Sequence, residues 1–354
     1  MPLYGHGALR RRLRETVERG SLPSSLLLQG PRGVGKQRLA LWLGQLLLCE
    51  SVGMRPCGAC QHCRYSGQFA HPDLHWFFPR PRLSDGDVSH ADVREDLGDA
   101  AAERLALNGL YPAPGGDESI FVASVRALVH AAAISPALAR RKVFVVGDAE
   151  RMVPQTGKEE AANAFLKLLE EPPRDTTLIL TSSEPGALLA TIRSRVVSVR
   201  VGTLTDAEVR SFASDPLAAE RLAEESGERD VEILVRLAQG APGRLLSGGA
   251  RSEAVAGARR LLDAATSRRR QDSYRAVFAH GRAKARGSYS DTLDALTVLL
   301  HARVRESADS DPQAALGAGR AVAVVEEAKE RALGNVNPAL LSASLVRQLR
   351  DLLA

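Results

Sequence analysis

The sequence predicts an α/β domain over residues 1–203, followed by helices to residue 354. Three observations carry that expectation. Short apolar runs alternate with helical patterns as far as Val201, which is the signature of a largely parallel sheet. One of those runs opens directly into a glycine-rich turn and then a helix. From Thr205 onward strand signals stop, and the chain becomes rich in Ala, Leu and Arg at helical spacing.

Leu9, Leu13 and Val17 recur at helical spacing among Arg10, Arg11, Arg12 and Arg14, and Gly20 closes this first amphipathic helix. Pro23 leads into Ser25-Leu26-Leu27-Leu28-Gln29, which reads as a short buried strand. Gly30-Pro31-Arg32-Gly33-Val34-Gly35-Lys36-Gln37 follows, then a strong helical stretch from Lys36 to Leu48. A cysteine cluster comes next, then HPDLHWFFPRPR. Residues 80–118 read as an insertion, with a candidate helix from Asp92 to Leu107 and a loop over 112–116. Ser124 to Ala133 is a helix candidate. In the stretch from Lys142 to Asp148, four successive apolar β-formers suit a central parallel strand covered on both faces. Ala161 to Glu171 is a helix stopped by Pro172 and Pro173. Leu178–Ser183 and Val196–Val201 are two more strands. Segments 206–213, 217–225 and 230–239 read as short helices, ending near Gly240-Ala-Pro-Gly243. From about 250 the chain is helical, and its last helix has Asn337 as N-cap and Pro338 at the first helical position. No internal repeat is visible.

A chain of 354 residues, 44% hydrophobic, can bury more than one core, so two or three domains are expected. No apolar run approaches the roughly 20 residues of a membrane helix. The opening MPLYGHGALRRRLRE has charge but no apolar stretch after it, so no secretory signal is read there and a cytoplasmic location is expected. The net charge of +5 is unevenly spread: from Leu83 to Glu118 nine acidic side chains stand against two basic ones, a net −7 against +12 for the remainder. A basic remainder is compatible with a nucleic-acid partner and equally with a solvated surface. Only six of the 47 basic residues are Lys; with so much Ala, this matches a GC-rich codon habit better than a function.

The glycine-rich segment fits the phosphate-binding loop G-x-x-x-x-G-K-[ST] at every fixed position but the last. The glycines let backbone N–H groups turn toward a phosphate, the helix N-terminus adds its dipole, and Lys36 would reach the β- and γ-phosphates. Gly30, Gly33, Gly35, Lys36, Gln37 and Asp148 are the candidate nucleotide site. Gln37 puts a long amide where a compact hydroxyl ligand for magnesium belongs, and magnesium demands tight octahedral geometry at about 2.1 Å. Asp148 ends its strand as the second acidic element should. The residue after it, where P-loop ATPases of this type carry a water-polarising Glu, is Ala149, and Glu150 is one step out of place. Two altered catalytic positions predict that the chain's own ATPase activity is lost, while binding of ATP or ADP stays open.

Cys49, Cys57, Cys60 and Cys63 read C-x7-C-x2-C-x2-C. Four thiolates at such spacing suit a closed, structural tetrahedral zinc site, the other reading being free thiols in a loop. His62 could replace one Cys, though its place between Cys60 and Cys63 makes it a poorer ligand. Arg195, just before the last strand, is either a solvated cation or an Arg held to stabilise phosphate charge, including in a neighbouring subunit. Ser182 and Ser183 could touch a γ-phosphate or be routine strand-end residues.

Together these segments resemble the AAA+ clamp-loader subunits of bacterial DNA polymerase III, most closely the delta-prime branch. SLLLQGPRGVGK is similar to the family's P-loop, the four Cys with His71-Pro72-Asp73 to its zinc module, and KVFVVGDAERM to its Walker B strand. AANAFLKLLEEPP and LTSSEPGALLATIRSR resemble its signature helix and its sensor strand leading to the S-R-C motif. NVNPALL resembles the start of the delta-prime C-terminal helix. The resemblance covers about 1–78, 119–248 and the last twenty residues or so. The S-R-C motif is Ser194-Arg195-Val196 here, with the Arg kept and the Cys lost, and Arg244 falls one place later than the sensor 2 Arg of the ATPase subunits. The resemblance implies an AAA+ RecA-like domain (1–203), a small helical lid (204–248) and an all-α collar domain (249–354) for oligomerisation. It implies a non-catalytic subunit that assembles with ATPase (tau/gamma) and delta subunits, helps load the sliding clamp on primed DNA, and offers Arg195 in trans as an arginine finger. The alternative within the family is an active tau/gamma-like ATPase. A zinc-containing nucleic-acid-binding module on another P-loop scaffold is a third reading.

Overall fold

The structure, a computed structural model, describes residues 2–84, 88–114, 118–152, 159–226, 228–246, 250–267, 288–308, 310–332 and 337–353. They form two compact units, divided after Val209.

The first unit is built on a five-stranded, all-parallel sheet of β1 (Ser25–Gln29), β2 (Leu74–Phe77), β3 (Lys142–Val146), β4 (Thr176–Ser182) and β5 (Val197–Arg200), in the order β2-β3-β4-β1-β5. Leu26, Leu27 and Leu28 of β1, Val143 to Val146 of β3 and Leu178 to Leu180 of β4 are each at most 1% exposed. Unbroken apolar runs in the sequence are therefore strands covered on both faces. Helix α1 (Gly7–Glu18) packs on α2 (Lys36–Leu48), which lies across β1, β4 and β3. This is the α/β architecture that the sequence predicts, a parallel sheet with the glycine-rich loop between β1 and α2.

Helix α3 (Gln61–Gly67) and β2 were not read from the sequence. Both are short, and His75 breaks the apolar run of β2. The remaining helices of this unit are α4 (His90–Ala106), α5 (Val122–Ala133), α6 (Glu159–Glu170) and the short α7 (Ala190–Arg193). Lys142 begins β3 buried, and its ammonium donates to the carbonyls of Ala131, Ala132 and Ile134 at the end of α5. A buried cation is thus offset by the carbonyls that a helix C-terminus leaves over.

The insertion is ordered where it is described. Its ends pair through Arg80 and Ser119, whose backbone groups exchange hydrogen bonds of 3.1 and 3.0 Å. Helix α4 starts earlier than the sequence suggests because Ser89 and Asp92 form a capping box. Val93, Leu97, Ala100 and Ala101 face inward, while Glu95, Asp99 and Glu103 are exposed. Asp85, Asp87 and Asp117 of the acidic count lie outside the described residues.

The second unit is helical: α9 (Pro216–Ser226), α10 (Val231–Ala238), α11 (Ala250–Thr266), α12 (Ser288–Ser307), α13 (Pro312–Ala332) and α14 (Pro338–Leu353), with α8 (Asp206–Ala213) crossing the division between units. A buried hydrogen bond of 2.9 Å joins Tyr289 of α12 to Ser342 of α14. Asn337 caps α14 as read, its Oδ1 accepting from Ala339 N at 2.9 Å. The expected boundary at 248–249 and the helical reading of 268–287 fall outside the described residues. No helix among the described residues is long and apolar enough to cross a membrane.

Candidate functional site

The sheet order decides what surrounds the loop between β1 and α2. With β4 beside β1 and β3 beside β4, the carboxyl ends of three parallel strands converge there. Gly33 and Gly35 take φ of 84° and 90°, which only glycine adopts without strain. Lys36 is 5% exposed. Its ammonium donates to Gly30 O (3.0 Å), Pro31 O (2.8 Å) and Ser183 Oγ (2.8 Å). Burial lowers the Lys36 pKa, and the charges of Asp148 and Glu150 pull it back up. Ser183 therefore enters the site, whereas Ser182 turns its hydroxyl to Glu184 N at 3.1 Å.

Gln37 and Asp148 meet directly. Gln37 Nε2 donates to Asp148 Oδ2 at 2.9 Å, and Gln37 Oε1 accepts from Trp76 Nε1 of β2 at 3.2 Å. The amide lies so close to Gly147 that a Cβ there would stand 2.5 Å from Gln37 Cδ. Burial raises the Asp148 pKa and Glu150 adds to it, against the opposing charges of Lys36, Arg32 and Arg151. Ala149 is 1% exposed and brings no polar group. Glu150 uses Oε1 to accept from Ser183 N at 2.9 Å, which braces the end of β4. The site can offer an anion the N–H groups of its loop and one lysine. To a metal it offers a carboxylate already bonded to an amide, a poor fit for the octahedral shell magnesium requires.

Residues the sequence reading missed complete this site. Arg104 of α4 lies 3.5 Å from the ring centre of Phe78, 4.2 Å from that of Tyr111 and 4.9 Å from that of Trp76. Arg38 of α2 donates to Asn108 O at 3.2 Å and to Gly109 O and Pro2 O. The only sequence hint was the aromatic run Trp76-Phe77-Phe78 just ahead of the insertion.

The four cysteines converge. Cys49 follows α2, Cys60 caps α3 and Cys63 lies within it. Their sulfurs all lie within 4.8 Å of one another, with Cys57–Cys63 and Cys49–Cys60 at 3.9 Å. Four sulfurs at about 2.3 Å from a tetrahedral ion sit about 3.8 Å apart, so this set fits a metal. Backbone N–H groups of Cys57, Cys60 and Cys63 point at the sulfurs of Cys49, Cys57 and Cys60 at 3.4, 3.3 and 3.4 Å. Hydrogen bonds from the Cys60 and Ala59 backbone bring the Cys57 thiol down to about 6, while burial pushes Cys63 up. His62 is turned away from the cluster, which corrects its reading as a substitute ligand. Its Nδ1 is 2.9 Å from His71 Nε2 and its Nε2 is 3.4 Å from Glu50.

His71 in turn accepts at Nδ1 from Asp73 N (3.0 Å), and the Asp73 carboxylate accepts from the N–H groups of Ala137, Leu138 and Ala139 at 2.6, 2.8 and 2.6 Å. The motif HPD thus ties the cysteine module to the loop ahead of β3. Burial opposes the Asp73 charge, but the three N–H groups hold its pKa below the ordinary value. Replacing Asp73 by Ala strands these donors and is expected to cost about 3 kcal/mol in chemical denaturation at neutral pH. A group with a depressed folded pKa contributes fully above its unfolded value, so the gap should start to narrow as pH falls below about 4 and go on narrowing through the lower folded pKa.

Arg195 does not join the loop cluster. Its Nε donates to Glu170 Oε1 at 2.6 Å and its Nη1 to Thr191 O at 2.8 Å, and Nη2 also reaches Glu170. The Arg195 side chain is 29% exposed. Arg244, in the second unit, bonds Gln239 Oε1 at 2.6 Å.

The family model described as "DNA polymerase III, delta subunit" matches residues 5–205. The chain is similar to the DNA polymerase III subunit delta' of Haemophilus influenzae, 29% identical over 67% of this chain and 56% of that one. It is also similar to the DNA polymerase III subunit tau of Escherichia coli, 27% identical over 62% of this chain and 28% of that one. A solved DNA polymerase III gamma subunit-related protein of Thermotoga maritima, 18% identical, covers 97% of this chain and 100% of its own with a TM-score of 0.45. The chain spans about half the length of the curated delta' relatives it matches.

Proposed function

Because this chain belongs to the family described as DNA polymerase III, delta subunit, we propose that it is a non-catalytic, delta-prime-type subunit of the bacterial replicative clamp loader. The observation that carries the reading is the Gln37–Asp148 hydrogen bond of 2.9 Å. In a working site a hydroxyl at this loop position and this acid would share a magnesium ion; here an amide joins them, and the buried Ala149 supplies no base. The role left to the chain is structural. It assembles in the cytoplasm with ATPase (tau/gamma) and delta subunits into a complex that places the sliding clamp on primed DNA. Residues 1–203 act as the AAA+ domain, residues 204–248 as lid and 249–354 as collar. The four cysteines hold a structural zinc ion. Arg195 serves the nucleotide of an adjacent ATPase subunit.

The test is hydrolysis by the purified chain alone and then with an ATPase partner. The expected result is no turnover above background alone. Turnover by the single chain at the partner's rate would return the tau/gamma-like reading. Tight DNA binding by the chain alone would favour an independent nucleic-acid module.

A further inference from the structure

The insertion 80–118 is a large segment to which neither the motifs nor the resemblance gave a role. It is acidic, yet the Arg104 guanidinium of α4 sits against Trp76, which contacts Gln37 of the nucleotide site. Arg104 Cζ lies within 5 Å of the ring centres of Phe78, Tyr111 and Trp76. A desolvated guanidinium over aromatic faces is held in orientation as well as position. Trp76 is 7% exposed, and its single donor goes to Gln37 Oε1. That contact leaves the Gln37 amide nitrogen pointing at Asp148 Oδ2. The same segment is anchored to the loop helix a second time, where Arg38, the residue after Gln37, donates to the Asn108 and Gly109 carbonyls just past α4. At its base, Arg80 grips Asp96 of α4 through two bonds of 3.0 and 2.8 Å.

We infer that the insertion is an internal strut of the degenerate nucleotide site, in which Arg104 acts as a positioning residue that, through Trp76, fixes the Gln37 amide against Asp148. An ordinary P-loop site is ordered by its metal and nucleotide; here groups of the chain itself supply that order. The inference rests on the reading of the site as closed to metal, but its first test needs no nucleotide.

The chain has two tryptophans, and Trp42 is 8% exposed and lies under Arg10 and Arg14 of α1. Its indole is an internal reference. Hydrogen exchange at the two indole N–H groups would be followed by NMR in the full chain carrying Arg104→Ala, and again carrying Arg104→Lys, which keeps the charge but loses the planar stack. The expected result is exchange at Trp76 at least tenfold faster in Arg104→Ala, with Trp42 within twofold of wild type and Arg104→Lys in between. Exchange unchanged at both indoles, or accelerated at both alike, overturns the inference. The second case would make Arg104 a support of the fold at large. A separate titration with magnesium and ADP tests the underlying reading. Gln37→Thr should gain magnesium-dependent ADP binding, and its absence would count against that reading while leaving the indole result standing.

Discussion

In a loader rebuilt from its subunits, Arg195→Ala is expected to lower DNA-stimulated ATP hydrolysis by about 10³-fold or more, with assembly unchanged. On the non-catalytic reading, in which Gln37 and Ala149 replace the metal-binding hydroxyl and the water-polarising acid, this Arg serves a neighbour's site. It stands after α7 at the start of β5, an edge strand, and its guanidinium is held by Glu170 and by Thr191 O. The Arg195 and Glu170 side chains are 29% and 44% exposed, and ion pairs that wet contribute about 1 kcal/mol or less. A phosphate bound bidentately is a stronger partner for a guanidinium than this carboxylate. Exchange from Glu170 to a neighbour's phosphate is therefore energetically open. Glu170→Gln should keep most of the activity, and Arg195→Lys should not restore it, because an ammonium lacks the planar fork. A full rate in the Arg195→Ala loader, with every subunit present, would sink the arginine-finger reading.

The second large effect is expected from stripping the zinc proposed for the four cysteines. Freshly purified protein is expected to carry one zinc per chain, and a strong chelator or Cys60→Ser should lower the melting temperature by about 10 °C or more. The magnitude follows from what the ion replaces. Without it, four thiols, two of them buried, lose their common partner, and three backbone N–H groups lose thiolate acceptors. The damage should spread along the chain His62, His71, Asp73 toward β3, because each group holds the next. Circular dichroism of the stripped protein should report loss of α3 while the sheet persists. Fewer than one metal ion for every two chains in fresh protein would exclude a structural site.

How much of this was legible before the structure varied by residue. β1, β3 and β4 were readable because a strand covered on both faces carries an unbroken apolar run, as Leu26 to Leu28, Val143 to Val146 and Leu178 to Leu180 do. The loop was readable because its glycines answer a local backbone demand. The cysteine set was readable because short spacings leave the sulfurs few ways to avoid one another. β2 was not readable: four residues with a histidine among them become a strand only because β3 offers an unpaired edge. His62 was left as a possible ligand, since its spacing allows it; its rotation toward His71 is set by the eight residues between them and by Asp73.

Gln37 marks the line between the two kinds of information. From the sequence alone it was a missing hydroxyl, and with Ala149 it predicted lost hydrolysis. Nothing local said where its amide would go. That was decided by β3 bringing Asp148 opposite, by Gly147 leaving room, and by β2 and the insertion bringing Trp76 and Arg104 alongside. Local backbone geometry and apolar periodicity are properties of neighbouring residues, so the family, four of the five strands, the loop and the four-cysteine set were already legible in the chain. Side-chain partnership between positions 37, 76, 104 and 148 depends on packing among α2, β2, α4 and the end of β3, which are distant in the chain and meet only in the folded protein.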